Sequence, residues 1–460
     1  MAGLNVSRSS IWIYGSLGFP LALLGYPLGI WLPRAYDTYI GIDTALVGLV
    51  ISVAAIFDAL TDPLMGYASD RFRTRWGRRK AWVLVGAPLL ALALYFLLNP
   101  EKGSTVLYLG AWFVFLRVGT TTLGVPYSAW GMELSGEYNT RTRIQAAREY
   151  FVLVGLIAAA AVPAGVELVY GDGATAVMVL NAYTWLSVPL LLVITALVVA
   201  RVPEPPPRVR EGQVRFLQSL ALMYRNKLYL RVLSIEFLIG GGEAFRNALS
   251  LYFMQDYIGA PRAGMLYLVY FSFGLAAIPV WNRLAGRYGK HRSLCAAIIL
   301  VGAVSLAIFS LDYGQVNAFY ALFAIKGFCF GSFAYLPRAM LADVIDLDTL
   351  KSGDARTGGY YSIYGFMSKV ALSIGGTSLI ALSFVGYDTA IGAVHGPVEL
   401  LWLGTLYAIV PTVLFALALY LCWTWPLTAG KHAQLQRLLE TKEARRAGTP
   451  TVGRRRQSAA

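Results

Sequence analysis

The sequence predicts an all-α polytopic membrane protein, with twelve transmembrane helices in two six-helix bundles. Three observations predict it. Hydrophobic residues make up 57% of the 460 residues and charged residues only 14%, against about a quarter charged in soluble domains. The mean hydropathy is +0.57. Apolar runs recur along the whole chain, each near the ~20 residues that cross a bilayer as a helix. A membrane barrel would instead show short segments of alternating polarity.

The spans are expected to begin near Ile11, Asp43, Ala81, Thr105, Ile144 and Ala174, then near Tyr229, Ala263, Ser293, Val316, Gly358 and Glu399. The first run continues to Leu32 with no small-residue cleavage site, which marks a retained span and not a signal peptide. Between spans six and seven lies RVPEPPPRVREGQVR, whose prolines and charges stop a helix and make a linker. Arg215 to Tyr224 reads as a short amphipathic surface helix. The expected division is a first bundle over 1–200, a linker over 201–228, a second bundle over 229–427 and a basic tail over 428–460.

Gly66 to Arg79 (GYASDRFRTRWGRR) follows span two, and Arg283 to Arg292 (RLAGRYGKHR) follows span eight. The corresponding hairpin of each half thus carries a Gly- and Arg-rich turn, as expected of a repeated six-span unit. Lys and Arg also collect after span four, in the linker and in the tail, while the alternate loops carry Asp37, Glu101, Asp172, Asp312 and Asp388. The positive-inside rule then places both termini in the cytoplasm of a bacterial-type inner membrane. It also accounts for the net charge of +14 without nucleic acid. The three cysteines are far apart and in apolar runs, so neither a disulfide framework nor a CxxC metal site is expected. No GxxxxGK[ST] phosphate cradle occurs, and no nucleophile–base pair supports an enzyme, so no cofactor is expected.

The stretch that organises these elements is Asp58 to Lys80, DALTDPLMGYASDRFRTRWGRRK. Asp58 and Asp62 are one helical turn apart on one face, with Thr61 beside them. A carboxylate inside a span costs several kcal/mol and persists where it meets a partner, a proton path or a wet cavity. Oxygen ligands suit hard cations, so the pair reads as a Na⁺ or H⁺ site. The bland alternative is a kink device at Asp62-Pro63 with Asp58 in a structural pair. The basic hairpin reads as a topology signal and lipid-phosphate contact. It also reads as a gate, in which Asp70 pairs with arginines among Arg71, Arg75, Arg78 and Arg79. Further polar groups within spans are Arg117, Thr120 to Thr122, Tyr127 and Trp130 in span four, and Gln145, Arg148 and Glu149 in span five. Span seven adds Glu236, Glu243 and Arg246, the last two spaced to pair. Lys326 lies in span ten, and Lys369 in span eleven with Tyr361 and Tyr364.

The Asp58–Lys80 stretch resembles the signature of the glycoside–pentoside–hexuronide:cation symporters of the major facilitator superfamily, the family of melibiose permease. The likeness continues in Pro126 to Ser135 (PYSAWGMELS), Arg141 to Tyr150 (RTRIQAAREY), Leu341 to Asp348 (LADVIDLD) and Gly358 to Gly376. The resemblance implies twelve helices, alternating access and cation-coupled symport of a glycoside or related small solute by a functional monomer in contact with membrane lipids. It implies a Na⁺ site at Asp58, Thr61, Asp62 and Thr121, with Thr61 where the family has Asn. It also matches Arg148 to a sugar-binding arginine and Lys369 to the helix-eleven lysine; Tyr127, Trp130 and Glu149 complete the expected solute site. Two family carboxylates are missing: their positions fall near Leu21-Ala22 and at Gly124. Because a lysophospholipid symporter in the same broad group keeps the helix-two carboxylates, an amphiphilic solute is the second expectation. A non-transporting scaffold or sensor is the third, against which the cost of intramembrane carboxylates argues.

Overall fold

The computed structural model describes residues 7–72, 77–135, 138–204, 225–352, 357–389, 393 and 395–426. The Arg215–Tyr224 segment and the tail over 428–460 lie outside them. The described residues form twelve helical rods in succession. In the first half α1 runs over Arg8–Ser16 and Gly18–Arg34 and ends in a π turn at Ala35–Tyr39. Then come α2 (Thr44–Arg71), α3 (Lys80–Leu98), α4 (Val106–Glu133), α5 (Tyr138–Tyr170) and α6 (Ala176–Arg201). The second half opens with α7 (Lys227–Ala248), followed by Ser250–Tyr252 and a π turn at Phe253–Tyr257. It continues with α8 (Ala263–Tyr288), α9 (Lys290–Phe309), α10 (Val316–Phe333, then Leu336–Ser352) and α11 (Thr357–Phe384). The last rod, α12, comprises Pro397–Gly404, a π turn at Thr405–Ile409 and Val410–Trp423.

Local chemistry sets several starts. Asp43 accepts hydrogen bonds from the amides of Ala45 and Leu46 and caps α2, while Thr105, Thr175 and Asn226 cap α4, α6 and α7. Among the described residues, eleven helices are long and apolar enough to cross a membrane. The remaining rod, α7, has 22 residues but carries Glu236, Glu243 and Arg246 in its body. Glu243 bonds the buried Arg246 one turn away, the pairing that their spacing predicts.

The helix pairings repeat with a shift of six. In the first half α1 packs on α5 and α6, α2 on α4, and α3 on α4 and α6; in the second α7 packs on α11 and α12, α8 on α10, and α9 on α10 and α12. Between the halves the main seams are α2 with α11 and α5 with α8, which exchange under the same shift. A hairpin end, bearing the α2–α3 and α8–α9 turns, is thereby distinguished from an outer end.

The α2–α11 seam is tightest toward the outer end. A Cβ on Gly48 would lie 2.3 Å from the Gly376 carbonyl oxygen, and one on Gly376 would lie 2.0 Å from that of Gly48. Ser52 donates to the Ser373 carbonyl at 2.7 Å one turn further in. Gly48→Leu is therefore expected to destabilise the protein by about 1–3 kcal/mol through overpacking. Gly25→Leu, placed where a Cβ meets nothing within 4 Å, should be nearly neutral. Melting temperatures of the two purified variants in detergent check this, and equal values would refute it.

Candidate functional site

Asp58 and Asp62 project from the middle of α2 toward α4 and α11. Thr121 of α4 places its hydroxyl 2.8 Å from Asp58 Oδ1 and 3.1 Å from Asp62 Oδ1, so its one proton serves either carboxylate. Lys369 of α11 lies 2.9 Å from Asp58 Oδ2 and 2.5 Å from Asp62 Oδ2. Arg117, one turn before Thr121 on α4, brings Nη1 to 3.6 Å from Asp58 Oδ2. Thr61 donates instead to the Asp58 backbone carbonyl at 3.2 Å. The site thus joins three helices, with two anions and one cation from the first half and one cation from the second.

Burial grades along the site. The Asp58 side chain is 6% exposed, whereas those of Asp62 and Lys369, nearer the hairpin end, are each 29% exposed. Above them the seam is closed by Ser52–Ser373 and Gly48–Gly376. Two carboxylates and a hydroxyl are a donor set for a hard monovalent cation. The Lys369 ammonium stands where such an ion would, so the residues present fit one.

The outer end holds a second polar seam between the halves. Arg34 of α1 pairs with Asp256 at the end of α7, 3.0 Å away, and lies over the Tyr252 ring at 4.5 Å. Asp37 accepts from the Tyr252 hydroxyl at 2.5 Å and from Thr389 at 2.6 Å, and Tyr387 donates to Asp256 at 2.8 Å. On the α5–α8 seam, Glu167 accepts from the amides of Gly264 and Met265 at 2.6 and 3.1 Å.

Of the expected solute residues, Lys369 lies at the aspartates, whereas Tyr127, Trp130, Arg148 and Glu149 have other contacts. Tyr127 and Trp130 are fully buried in the first half. Tyr127 and Tyr14 stack, and each donates its hydroxyl to the other's carbonyl; Trp130 donates to the Pro203 carbonyl at 3.0 Å. The Tyr127 hydroxyl and the Trp130 ring N–H are thus engaged within the protein. Arg148 lies over the Tyr127 ring at 5.7 Å, and Glu149 is exposed. Among the described residues, neither is joined to the aspartates by a hydrogen bond. In the second half, Glu236 accepts from Tyr364 and, at 2.7 Å, from Ser368, the neighbour of Lys369. Lys326 is buried, 3.0 Å from the Tyr407 hydroxyl.

At the hairpin, Glu133 at the end of α4 takes Arg78 at 2.5 Å and Arg79 at 2.8 Å. Glu204, just past α6, accepts from the successive amides of Arg78, Arg79 and Lys80 and so caps α3. Gly77 has φ +110°, and a Cβ there would lie 1.9 Å from Glu204 Oε2, which explains the glycine of the WGRR run. These pairs link helices of the same half. Arg71 donates to the Tyr67 hydroxyl at 2.6 Å. Arg75 and the side chain of Asp70 lie outside the described residues.

Comparison with known proteins agrees with this architecture. Residues 13–429 match the family described as MFS/sugar transport protein. The putative glycoside/cation symporter YagG of Escherichia coli is 24% identical, over 90% of this chain and 94% of its own. The sodium-dependent lysophosphatidylcholine symporter 1-A of Danio rerio is 25% identical, over 93% of this chain and 88% of its own. Among solved structures, a D-xylose-proton symporter superposes with a TM-score of 0.65 at 12% identity, covering 91% of this chain and 97% of that one. The chain belongs to the MFS/sugar transport protein family and is an integral membrane protein.

Arg79 is 3% exposed and pairs with Glu133 at 2.8 Å. Glu133→Ala is expected to cost about 3 kcal/mol, as for a buried pair robbed of one partner. Glu101→Ala, in an exposed loop, should cost little. Thermal unfolding in detergent separates the two, and a Glu133→Ala protein as stable as the Glu101→Ala control would refute the assignment.

Proposed function

We propose that this family member is a secondary transporter that carries a glycoside or related sugar-like solute together with Na⁺ or H⁺ by alternating access. The observation that carries the reading is Lys369 of the second half held between Asp58 and Asp62 of the first. A cation arriving at the aspartates competes directly with that ammonium. Lys369 released in this way is free to turn to a solute in the cavity. The charge at the seam between the halves therefore changes with occupancy, which is the differential interaction that a shift between two conformations requires.

The gradient of exposure supports a state open toward the hairpin end. Orientation by the positive-inside rule makes that end the cytoplasm, so the cargo cation would leave past Asp62 and Lys369 while the outer seam stays shut. Opening outward would then break Arg34–Asp256, the Asp37 bonds and the Glu167 bonds, and would form contacts at the hairpin end.

A second reading has one observation in its favour. The family's helix-one and helix-four acids are absent here, with apolar residues and Gly124 at their positions. Fewer acceptors for sugar hydroxyls suit an amphiphile, and a sodium-dependent lysophosphatidylcholine symporter is among the relatives.

The test is uptake into proteoliposomes under an imposed Na⁺ or pH gradient, over a panel of glycosides and lysolipids. Asp58→Asn and Asp62→Asn are each expected to lower gradient-driven uptake at least tenfold while the purified proteins remain monodisperse. Lys369→Ala should retain solute exchange but lose dependence on the gradient. Full gradient-driven uptake by both aspartate variants would end the proposal. The solute that is accumulated decides between the two readings.

A further inference from the structure

Resting on this reading of the site, Arg117 is the group whose role the cycle does not yet use. It lies on α4 one turn from Thr121, so both face the aspartates from the same side. Its Nη1 is 3.6 Å from Asp58 Oδ2, the oxygen that Lys369 also approaches at 2.9 Å. The guanidinium is braced 5.2 Å from the Phe113 ring, and its Nε is buried without a hydrogen-bond partner. Arg117 belongs to the same half as both aspartates. When Lys369 leaves, Arg117 stays.

The charge count follows. With Lys369 in place, two carboxylates face two fixed cations, and the cluster is balanced with no ion added. A metal cation that enters while Lys369 remains creates an excess positive charge among groups that are mostly buried. A metal cation that replaces Lys369 still meets an arginine within a few ångströms, facing one of the oxygens it would use. Guanidinium stays protonated at any working pH, so this opposition is permanent. Coulomb repulsion at such a distance, with an effective dielectric near 20, weakens binding on the order of 100-fold.

We propose that Arg117 is a selectivity determinant that opposes metal cations at the Asp58–Asp62 site and makes sodium a weak ligand of this chain. Arg117 does this from within the first half, and so in every conformation that keeps α2 against α4. It makes Lys369 and a metal cation mutually exclusive, because the cluster cannot hold both beside a fixed guanidinium.

The experiment is a sodium titration of melting temperature for the full-length protein in detergent, at fixed pH, with choline chloride holding ionic strength constant. Wild type is expected to show no sodium-specific stabilisation below about 100 mM. Arg117→Gln is expected to show it with a midpoint at least tenfold lower than wild type, and Arg117→Gln combined with Asp62→Asn should abolish it. Arg117→Met, which keeps the apolar contact with Phe113, serves if the glutamine variant fails to fold. Wild type that saturates at a few millimolar sodium overturns the proposal without any variant. The same midpoint in wild type and variants, or no sodium response in either, also overturns it. Those outcomes leave cation symport standing, since that reading falls only if Asp58→Asn and Asp62→Asn transport normally.

Discussion

An ionised carboxylate in the middle of a membrane helix must find its counter-charge within the protein, because lipid supplies none. Here two carboxylates one turn apart impose that demand on the same face of α2. The nearest compensation is drawn from two directions: Arg117 and Thr121 on α4, and Lys369 on α11 across the seam. The packing of α2 against α11 is set by this demand as much as by glycine contact. Moving the halves apart at this level leaves one carboxylate charge and the lysine uncompensated, unless another cation takes the place of the lysine.

The repeated arrangement gives this junction its setting. Because the pairing of helices recurs with a shift of six, α2–α11 has a counterpart in α5–α8. The counterpart is sealed by Glu167 on the first-turn amides of α8 and by close backbone contact at Gly264, whose Cβ would meet Ala164 N at 2.6 Å. One seam thus holds a charged cluster, and the other holds a helix cap. The polar network of Arg34, Asp37, Tyr252, Asp256 and Tyr387 links the two halves at the outer end.

Much of this was legible in the chain. Helix spacing puts Asp58 and Asp62 on one face, and the cost of burying them requires a counter-charge, which Lys369 supplies. The number of helices follows from apolar run length. What spacing does not encode is which distant helix a given face meets. Glu133 and Glu204 read as ordinary charges at helix ends, yet they hold Arg78 and Arg79 from 54 and 125 residues away. Tyr127 and Trp130 sit beside the site in sequence and look like a solute platform. Their rotation on α4 turns them toward Tyr14 and Pro203 instead. Arg117 was visible as a charge within a span, but its partner was not, because only the approach of α4 to α2 reveals it. The signal available was its i, i+4 spacing from Thr121.

The balanced cluster has an electrical consequence. Each uncompensated elementary charge moved through a membrane potential exchanges about 2.3 kcal/mol per 100 mV. With Lys369 and Arg117 against Asp58 and Asp62, the unloaded cluster presents no net charge to that field. A carrier of this build would reset with little sensitivity to voltage, and the membrane potential would act chiefly on the step in which cargo brings its own charge. Electrical recording would then see the loaded half of the cycle and be nearly blind to the return.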